Sequence, residues 1–325
     1  MLPFIIRRLV VAVLVLIVST FLVFVMAANS GNPLATLQTR QPPPPPSTIK
    51  ALENQLHLNE PIPVRYAYWL GNVVRGNFGK DIDGNAVRPQ LFQRLGVTLR
   101  LVILASLLAL VLAVISGVVS AVKQYSFIDY STTLFGFLLI SIPTFWFAGL
   151  LKDVAIRANT AAGSTIFSVS GEQTPGFNGG FFANLSDRAS HLILPTISLA
   201  LLSYAAWSRY QRATMLDVLN SDYIRLARAK GVPWRRVLIK HGLRTALIPL
   251  TTVVAIGFGA IIGGAVITET VFDWHGMGEY LITALNRTDI NTTLAWLLVA
   301  AVGVVLFNLI ADILYAALDP RIRLG

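Results

Sequence analysis

Six long runs of uncharged, mostly apolar residues divide the chain. Each has at least 17 residues, and a helix needs about 20 apolar residues to cross the ~30 Å hydrocarbon core of a bilayer. The shortest run reaches that length when His191 and Arg209 at its ends extend their polar groups to the membrane surface. The pattern therefore predicts an all-α polytopic membrane protein with six transmembrane helices. The predicted spans are residues 9–28, 101–122, 131–151, 192–208, 245–268 and 290–311.

The first two runs carry further detail. The first, with 20 uncharged residues, is too long for the apolar part of a signal peptide, so we expect a retained helix. Near the end of the second, Ser116, Gly117, Ser120 and Ala121 are small residues suited to close packing between helices.

The segment between the fourth and fifth runs, residues 209–244, is strongly basic. It contains nine Lys or Arg residues and two acids, Asp217 and Asp222. Basic segments that join two membrane spans are typical of the cytoplasmic side. We therefore expect this segment to lie in the cytoplasm and to face a partner there.

Two short helices are predicted within this segment. Ser221 or Asp222 is suited to cap a helix that begins near Tyr223 and has about eight residues, or roughly 12 Å. Gly231 suits the left-handed residue that ends a helix, and Pro233 suits the first turn of the next one.

The first of these helices has a compact surface. Tyr223, Leu226 and Ala227 share one face at spacings of three and four residues, with basic side chains around them. Two interpretations follow. The helix fits a groove on a partner, or the segment is simply a long cytoplasmic loop that is basic as such loops are. Charge alone favours the second.

Residues 29–97, between the first two runs, are predicted to lie outside the cell. Pro42 to Pro46 form a stiff polyproline II spacer, and a helix is expected to begin at Ser47. An aromatic-rich stretch then ends in a turn at Gly76-Asn-Phe-Gly79. We interpret this region as a cap over the outer mouth; a loosely ordered loop is the alternative.

Composition excludes several classes of protein. With 54% hydrophobic and 13% charged residues, the chain is not an ordinary soluble domain. The net charge of +10 does not indicate nucleic-acid binding, because no basic and aromatic stripe lies outside the central segment. The absence of cysteine excludes disulfides, and four scattered histidines argue against a metal site. Gly76 to Asp81 lacks the spacing and hydroxyl of a nucleotide-binding loop.

Charge placement also predicts the orientation. With the N-terminus inside, the cytoplasmic segments hold 14 of the 26 basic residues, which agrees with the positive-inside rule. Both termini are then cytoplasmic. These segments are residues 1–8, 123–130, 209–244 and 312–325.

Several residues have two interpretations. Asp129 either caps the third helix or pairs with a base of the central segment, and capping is favoured. Pro143 is expected to kink or interrupt the third helix, either as a gate hinge or as a packing kink, and the packing kink is favoured. Glu269 either orients a substrate amine or pairs with a base. Gly259-x-x-x-Gly263 either packs helices closely or leaves space along a pathway.

Motifs in the second half resemble one family of transporters. Ala227-Arg-Ala-Lys-Gly231, followed by Leu247-Ile-Pro249, resembles the coupling-loop motif in permease subunits of bacterial ABC importers. The stretch from His191 to Pro249 resembles the dipeptide/oligopeptide branch in particular. Arg225-Leu-Ala227 stand where the generic motif has Glu-Ala-Ala, a departure usual in that branch. In the similar outer-loop motif 269–278, His275 replaces proline, so a different turn is expected there.

The resemblance implies a type I ABC importer permease fold with an external cap between the first two helices. It divides the chain into a first transmembrane helix (1–28), the cap (29–97), the transmembrane domain (98–317) with its coupling loop (209–244), and a cytoplasmic tail (318–325). Coupling to an ATPase through the 220–242 loop is implied for Tyr223, Ile224, Arg225, Leu226, Ala227, Arg228, Ala229, Lys230 and Gly231. Candidates for the pathway or gate are Pro249, Gly257, Gly259, Gly263 and Glu269.

The implied function is import of oligopeptides or dipeptides across the bacterial plasma membrane, with this chain forming half of the pathway. The implied partners are a second homologous permease subunit, two cytoplasmic ATPases, an external substrate-binding protein, the peptide and membrane lipid. The chain itself is expected to be no enzyme and to bind no cofactor or metal, with ATP and Mg held by the ATPases.

Other functions remain open. A related permease for nickel or another small solute is the first alternative. A secondary transporter or channel would require ionisable groups within the membrane or an internal repeat, and neither is evident. A membrane enzyme would require a catalytic arrangement of side chains, which the motifs do not provide.

Overall fold

The computed structural model describes residues 2–29, 34, 44–55 and 57–318, apart from the side chains at 2–5, 52, 55, 256, 258–264, 311, 312 and 314–318. The described part contains twelve α-helices and one π-helix. In chain order they are α1 (Leu2–Asn29), α2 (Pro46–Gln55), α3 (Ile62–Val74), α4 (Val87–Val122), α5 (Phe127–Ser141), α6 (Thr144–Ala162), α7 (Phe181–Leu219), α8 (Asp222–Ala229), α9 (Trp234–Arg236), the π-helix Val237–Leu243, α10 (Arg244–Val271), α11 (Met277–Asn286) and α12 (Ile290–Leu318).

The predicted all-α class is confirmed. In the residues described, the β-structure is limited to one isolated bridge between Lys80 and Ala86. Five helical segments are long and apolar enough to cross a membrane, and a bent pair of helices gives a sixth. The six apolar runs therefore correspond to six candidate spans.

The third run is interrupted at Pro143. Helix α5 ends at Ser141, Ile142 is extended (φ −90°, ψ 127°), and Pro143 is the N-cap residue of α6. Proline lacks a backbone N–H and disfavours a helical residue before it, so the chain leaves the helix at this point. The axes of α5 and α6 differ by 107°. The predicted interruption is confirmed, and it forms a broken span or a re-entrant turn.

Several helices continue beyond the apolar runs. Helix α4 begins at Val87, well before the second run, and α7 extends from Phe181 to Leu219 with Pro195 inside it. The last turns of α7 therefore belong to the basic central segment. This places Arg212 on a membrane helix rather than in a loop.

The chain forms two compact units, one of Met1–Val97 with Gly276–Val305 and one of Thr98–His275 with Leu306–Gly325. In the first unit, α1 packs against α3. The hydroxyl of Tyr66 lies 2.9 Å from that of Thr20, and Phe24, Tyr66 and Leu294 form a buried cluster. Aromatic residues thus hold α3 against the first span.

Two details of the predicted cap agree with the first unit. Helix α2 begins at Pro46, next to the predicted Ser47. Gly76 and Gly79 have φ values of +78° and +82°, which glycine adopts readily because it has no Cβ. The turn there is confirmed, whereas Pro42 and Pro43 lie outside the described residues. The external position of this region stays a prediction.

Helix α7 is central to the second unit and packs against α5, α6 and α10. Helix α4 buries a leucine and three alanines at four-residue spacing, while large apolar side chains on its other side are exposed. Such an arrangement suits a helix with protein on one side and hydrocarbon on the other. The buried row is Leu101, Ala105, Ala109 and Ala113.

Candidate coupling surface and its support

Helix α8 is the predicted first helix of the central segment, and it has eight residues, Asp222–Ala229. Ser221 is its N-cap residue by backbone conformation but makes no side-chain cap. Its hydroxyl donates instead to the Val218 carbonyl oxygen at the end of α7. The predicted helix is therefore confirmed with Ser221 at its N-cap position, and the Ser221 side chain makes no hydrogen bond to the first turn of α8.

Gly231 ends α8 with a left-handed residue, at φ +74°. Its N–H donates to the Arg228 carbonyl at 3.0 Å, and the Val232 N–H donates to the Ala227 carbonyl at 3.2 Å. These two bonds form a Schellman motif, in which glycine is favoured because other residues are strained at this φ. The predicted role of Gly231 is confirmed.

From Trp234 onward the chain is helical without a break into the fifth span. Pro233 is the N-cap residue of α9, which continues through the π-helix Val237–Leu243 into α10. The residues that flank the π-helix, Arg236 and Arg244, are also helical. The predicted second helix is confirmed, and it is directly continuous with α10.

Helix α8 buries Ile224, leaves Ala227 half-buried and exposes its other side chains. Ile224 is 1% exposed, whereas Tyr223 is 43% and Leu226 is 56% exposed. The helix packs against the π-helix, and the Arg228 guanidinium lies 5.2 Å from the centre of the Trp234 ring. The result is an exposed surface with two large apolar side chains and a basic rim. Its basic members are Arg225, Arg228 and Lys230.

The sequence did not reveal that Ile224 is the buried residue of α8. Tyr223 and Leu226 share one face of this eight-residue helix, and Ile224 points in a different direction. Periodicity shows which residues share a face but not which face meets the rest of the protein.

Truncating Ile224 to alanine is expected to loosen α8 and to lower the thermal unfolding midpoint of the protein. Removal of a buried isoleucine side chain costs about 2–5 kcal/mol where the site cannot collapse. Leu226→Ala is the matched control for stability, because Leu226 is exposed. A thermal unfolding midpoint lowered by the first variant and unchanged by the second would support the anchoring role. Equal midpoints would contradict it.

A buried ion pair supports the end of α7. Arg212 donates from Nε to Asp129 Oδ1 at 2.6 Å and from Nη2 to Oδ2 at 2.7 Å. The Ser120 hydroxyl and the Tyr125 backbone N–H also donate to this carboxylate. The Asp129 side chain is 3% and the Arg212 side chain 27% exposed. One carboxylate therefore joins α4, the turn after it, α5 and α7.

The favoured interpretation of Asp129 as a helix cap is wrong. Ser126 is the N-cap residue of α5, and its side chain accepts a hydrogen bond from the Asp129 N–H. The Asp129 carboxylate instead pairs with Arg212, one of the nine basic residues of the central segment. The alternative interpretation, a pair with a base of that segment, is confirmed. Sequence separation concealed the pair, since the two positions are 83 residues apart.

Close packing holds the same end of α7 against its neighbours. A Cβ built on Gly117 of α4 would lie 2.9 Å from the Ser208 carbonyl oxygen and 2.9 Å from Gln211 Cβ. A Cβ on Gly242 of the π-helix would lie 3.0 Å from Met215 Cε. The predicted packing role of Gly117 is confirmed. The π-helix also packs closely against α7, through Gly242.

The pathway candidates occupy separate positions. Pro249 is inside α10 and partly buried. A Cβ on Gly257 would lie 3.3 Å from Trp207 Nε1. The lack of a side chain at position 257 therefore allows the Trp207 indole of α7 to pack closely against α10. Glu269 is fully buried and accepts a hydrogen bond from the Thr98 hydroxyl. The surroundings of Gly259 and Gly263 lie outside the described residues. A pathway role for this set stays a prediction.

Two family models match the chain over most of its length. Residues 109–324 match the binding-protein-dependent transport system inner membrane component, and residues 1–93 match the N-terminal model for such membrane components. The chain belongs to this binding-protein-dependent transport family. It is therefore a multi-pass permease component, as predicted.

Relatives within the family are similar over nearly their whole length. The oligopeptide transport system permease protein of Mycobacterium tuberculosis is 43% identical, with 98% of each chain covered. The oligopeptide transport system permease protein of Bacillus subtilis is 41% identical, over 99% of this chain and 100% of the relative. The dipeptide transport system permease protein of Escherichia coli is 33% identical, over 99% of both.

A solved structure has the same fold. The chain superposes on the crystal structure of an amino acid ABC transporter with histidines, with a TM-score of 0.50 and 12% identity, over 70% of this chain and 94% of the other. The predicted permease fold is confirmed. In the described part of the chain, no group of three or more His, Asp or Glu side chains is arranged to hold a metal ion.

Proposed function

We propose that this chain is a permease subunit of an ATP-driven importer of oligopeptides or dipeptides. The observation that carries the proposal is the full-length similarity to oligopeptide and dipeptide permeases, at 33–43% identity. The exposed surface of α8 adds physical support, because a short helix with apolar side chains and a basic rim suits a groove on a separate protein.

The energy for import comes from ATPase partners in this proposal. Two cytoplasmic ATPase subunits bind α8 here and its counterpart on a second, homologous permease subunit. Mg-ATP binds in the ATPases, and this chain catalyses no reaction itself. An external binding protein delivers the peptide, and the two permease subunits form the pathway together.

Movement of α8 reaches the pathway through two connections. One is the continuous helical segment from Trp234 into α10, which carries Pro249 and Gly257. The other is the short turn from Leu219 to Asp222, which joins α8 to α7. A push on α8 therefore displaces α7 and α10 together, and this displacement alternates the access of the pathway between the two sides of the membrane.

The proposal is tested by reconstituting the complete transporter in proteoliposomes with a labelled dipeptide and a labelled tetrapeptide. We expect ATP-dependent uptake of at least one peptide and co-purification of an ATP-hydrolysing protein with this chain. Nickel ions provide the comparison for the alternative substrate, and uptake of nickel instead of peptide would favour it.

The orientation is tested with the chain in membranes that lack the ATPase partners, where α8 is not covered. The native chain contains no cysteine, so Leu226→Cys introduces a single thiol on α8. A reagent that does not cross membranes is expected to label this thiol only from the cytoplasmic side. Labelling from outside, or uptake by the purified chain without an ATPase, would contradict the proposal.

A further inference from the structure

The turn between α7 and α8 is short and hydrogen-bonded at both ends. The Asn220 N–H donates to the Leu216 carbonyl at 3.2 Å, and the Ser221 N–H donates to the Val218 carbonyl at 3.1 Å. On the other side, the Arg225 N–H donates to the Ser221 carbonyl at 3.2 Å. A force on α8 is therefore transmitted directly to the last turns of α7.

Arg212 is where those last turns are fixed to another helix. It lies seven residues before Leu219, which is about 10 Å along a helix. Its two hydrogen bonds to Asp129 are parallel and bidentate, a geometry that restricts rotation as well as translation of the two groups. Asp129 is in the first turn of α5. The pair therefore joins the helix that precedes α8 to the start of the α5–α6 pair.

The turn before α5 is strained, and the same carboxylate stabilises it. Tyr125 has a φ of +63°, a left-handed conformation that is unfavourable for a bulky residue. Its N–H donates to Asp129 Oδ2 at 2.9 Å. Ser120, at the end of α4, bonds to both members of the pair. Loss of the Asp129 charge thus releases the α4–α5 turn and the α7 contact together.

We propose that Asp129 is a positioning residue for energy coupling, which acts through Arg212 to make α5 move with α7 when α8 is displaced. This proposal rests on the proposed function, since it requires a partner ATPase that displaces α8. Without the pair, α8 and the end of α7 would still move, but α5 and the bend at Pro143 would not follow. ATP hydrolysis would then continue while transport declined.

The test measures peptide transported per ATP hydrolysed in the complete transporter in proteoliposomes. In Asp129→Asn, we expect this ratio to fall about tenfold or more while the peptide-stimulated ATPase rate stays within about twofold of wild type. Arg212→Lys keeps the positive charge but loses the bidentate geometry, and it is expected to give an intermediate ratio. The matched control is Asp153→Asn, which breaks an exposed Asp–Arg pair on α6 with an Nε–Oδ2 distance of 2.7 Å, and its ratio is expected to stay at the wild-type value.

A double variant separates coupling from stability. Asp129→Asn with Arg212→Met removes both charges, so no unpaired charge remains buried. We expect its thermal unfolding midpoint to recover toward wild type while its transport-to-ATP ratio stays low. Recovery of both quantities would overturn the proposal, because the pair would then matter only for stability.

Other outcomes are equally decisive. If Asp129→Asn lowers uptake and ATP hydrolysis in equal proportion, the residue does not act in coupling. If Asp129→Asn cannot be purified, the ratio of Arg212→Lys decides, and a wild-type value overturns the proposal. A wild-type transporter without ATP-dependent peptide uptake would instead refute the proposed function.

Discussion

Replacing Gly231 with valine is expected to reduce ATP-driven peptide uptake roughly 5- to 30-fold while the protein still inserts into the membrane. The left-handed conformation costs an L-residue about 1–2 kcal/mol, and more when the residue is β-branched. A cost of that size changes a conformational equilibrium by a factor of about 5–30. Because Gly231 ends α8 (φ +74°), the penalty falls on the conformation that presents the coupling surface.

Gly231→Asn is the matched control, because asparagine accepts the left-handed conformation better than other residues with a Cβ. A Cβ at position 231 would meet no described atom within 4 Å, so crowding within this chain does not distinguish the two variants. We expect Asn to retain most of the uptake that Val loses. Equal impairment by both would contradict the conformational explanation and would indicate a steric contact with the partner.

Gly117→Ala is expected to destabilise the whole second unit and to lower the amount of protein in the membrane. The added Cβ would lie 2.9 Å from a backbone oxygen of Ser208 and 2.9 Å from Gln211 Cβ and Cγ, closer than non-bonded atoms tolerate. The backbone cannot rotate away, so α4 and α7 must separate. Overpacking of this kind costs typically about 1–3 kcal/mol, which corresponds to a decrease of roughly 2–10 °C in the unfolding midpoint.

Gly149→Ala provides the comparison for this variant. Gly149 is also inside a helix, α6, but a Cβ there would meet no described atom within 4 Å. Alanine favours helices over glycine by about 0.5–1 kcal/mol, so this variant is expected to be neutral or slightly more stable. Thermal unfolding of the two purified proteins in one detergent measures the difference. A Gly117→Ala protein as stable as Gly149→Ala would show that the two helices are not closely packed.

Local features were accessible to sequence analysis. The six spans follow from unbroken apolar runs, because a bilayer requires a minimum length of uncharged helix. The start of α2, the interruption at Pro143 and the end of α8 at Gly231 follow from residues with restricted or unusual backbone freedom. Such signals depend on neighbours within a few positions, so they are present in the sequence itself.

Tertiary structure decided the contacts that connect distant positions. The pairing of Asp129 with Arg212, the hydrogen bond between Thr98 and Glu269, and the contact of Gly117 with Ser208 and Gln211 all join residues at least 83 positions apart. Charge and residue size suggested that these residues would have partners, but they did not specify which ones. The choice of Ile224 as the buried residue of α8 was undetermined for the same reason.

The sequence by itself determined that this protein is helical, crosses a membrane about six times and has a short basic helix ended by glycine. Hydrophobic length, proline and glycine act locally, and each is encoded within a few adjacent residues. Only the tertiary structure decided that this helix is anchored by Ile224, that the next helix is continuous with α10, and that the end of α7 is linked through Arg212 and Asp129 to α5. Those connections depend on which helices pack together, and packing is a property of the whole chain.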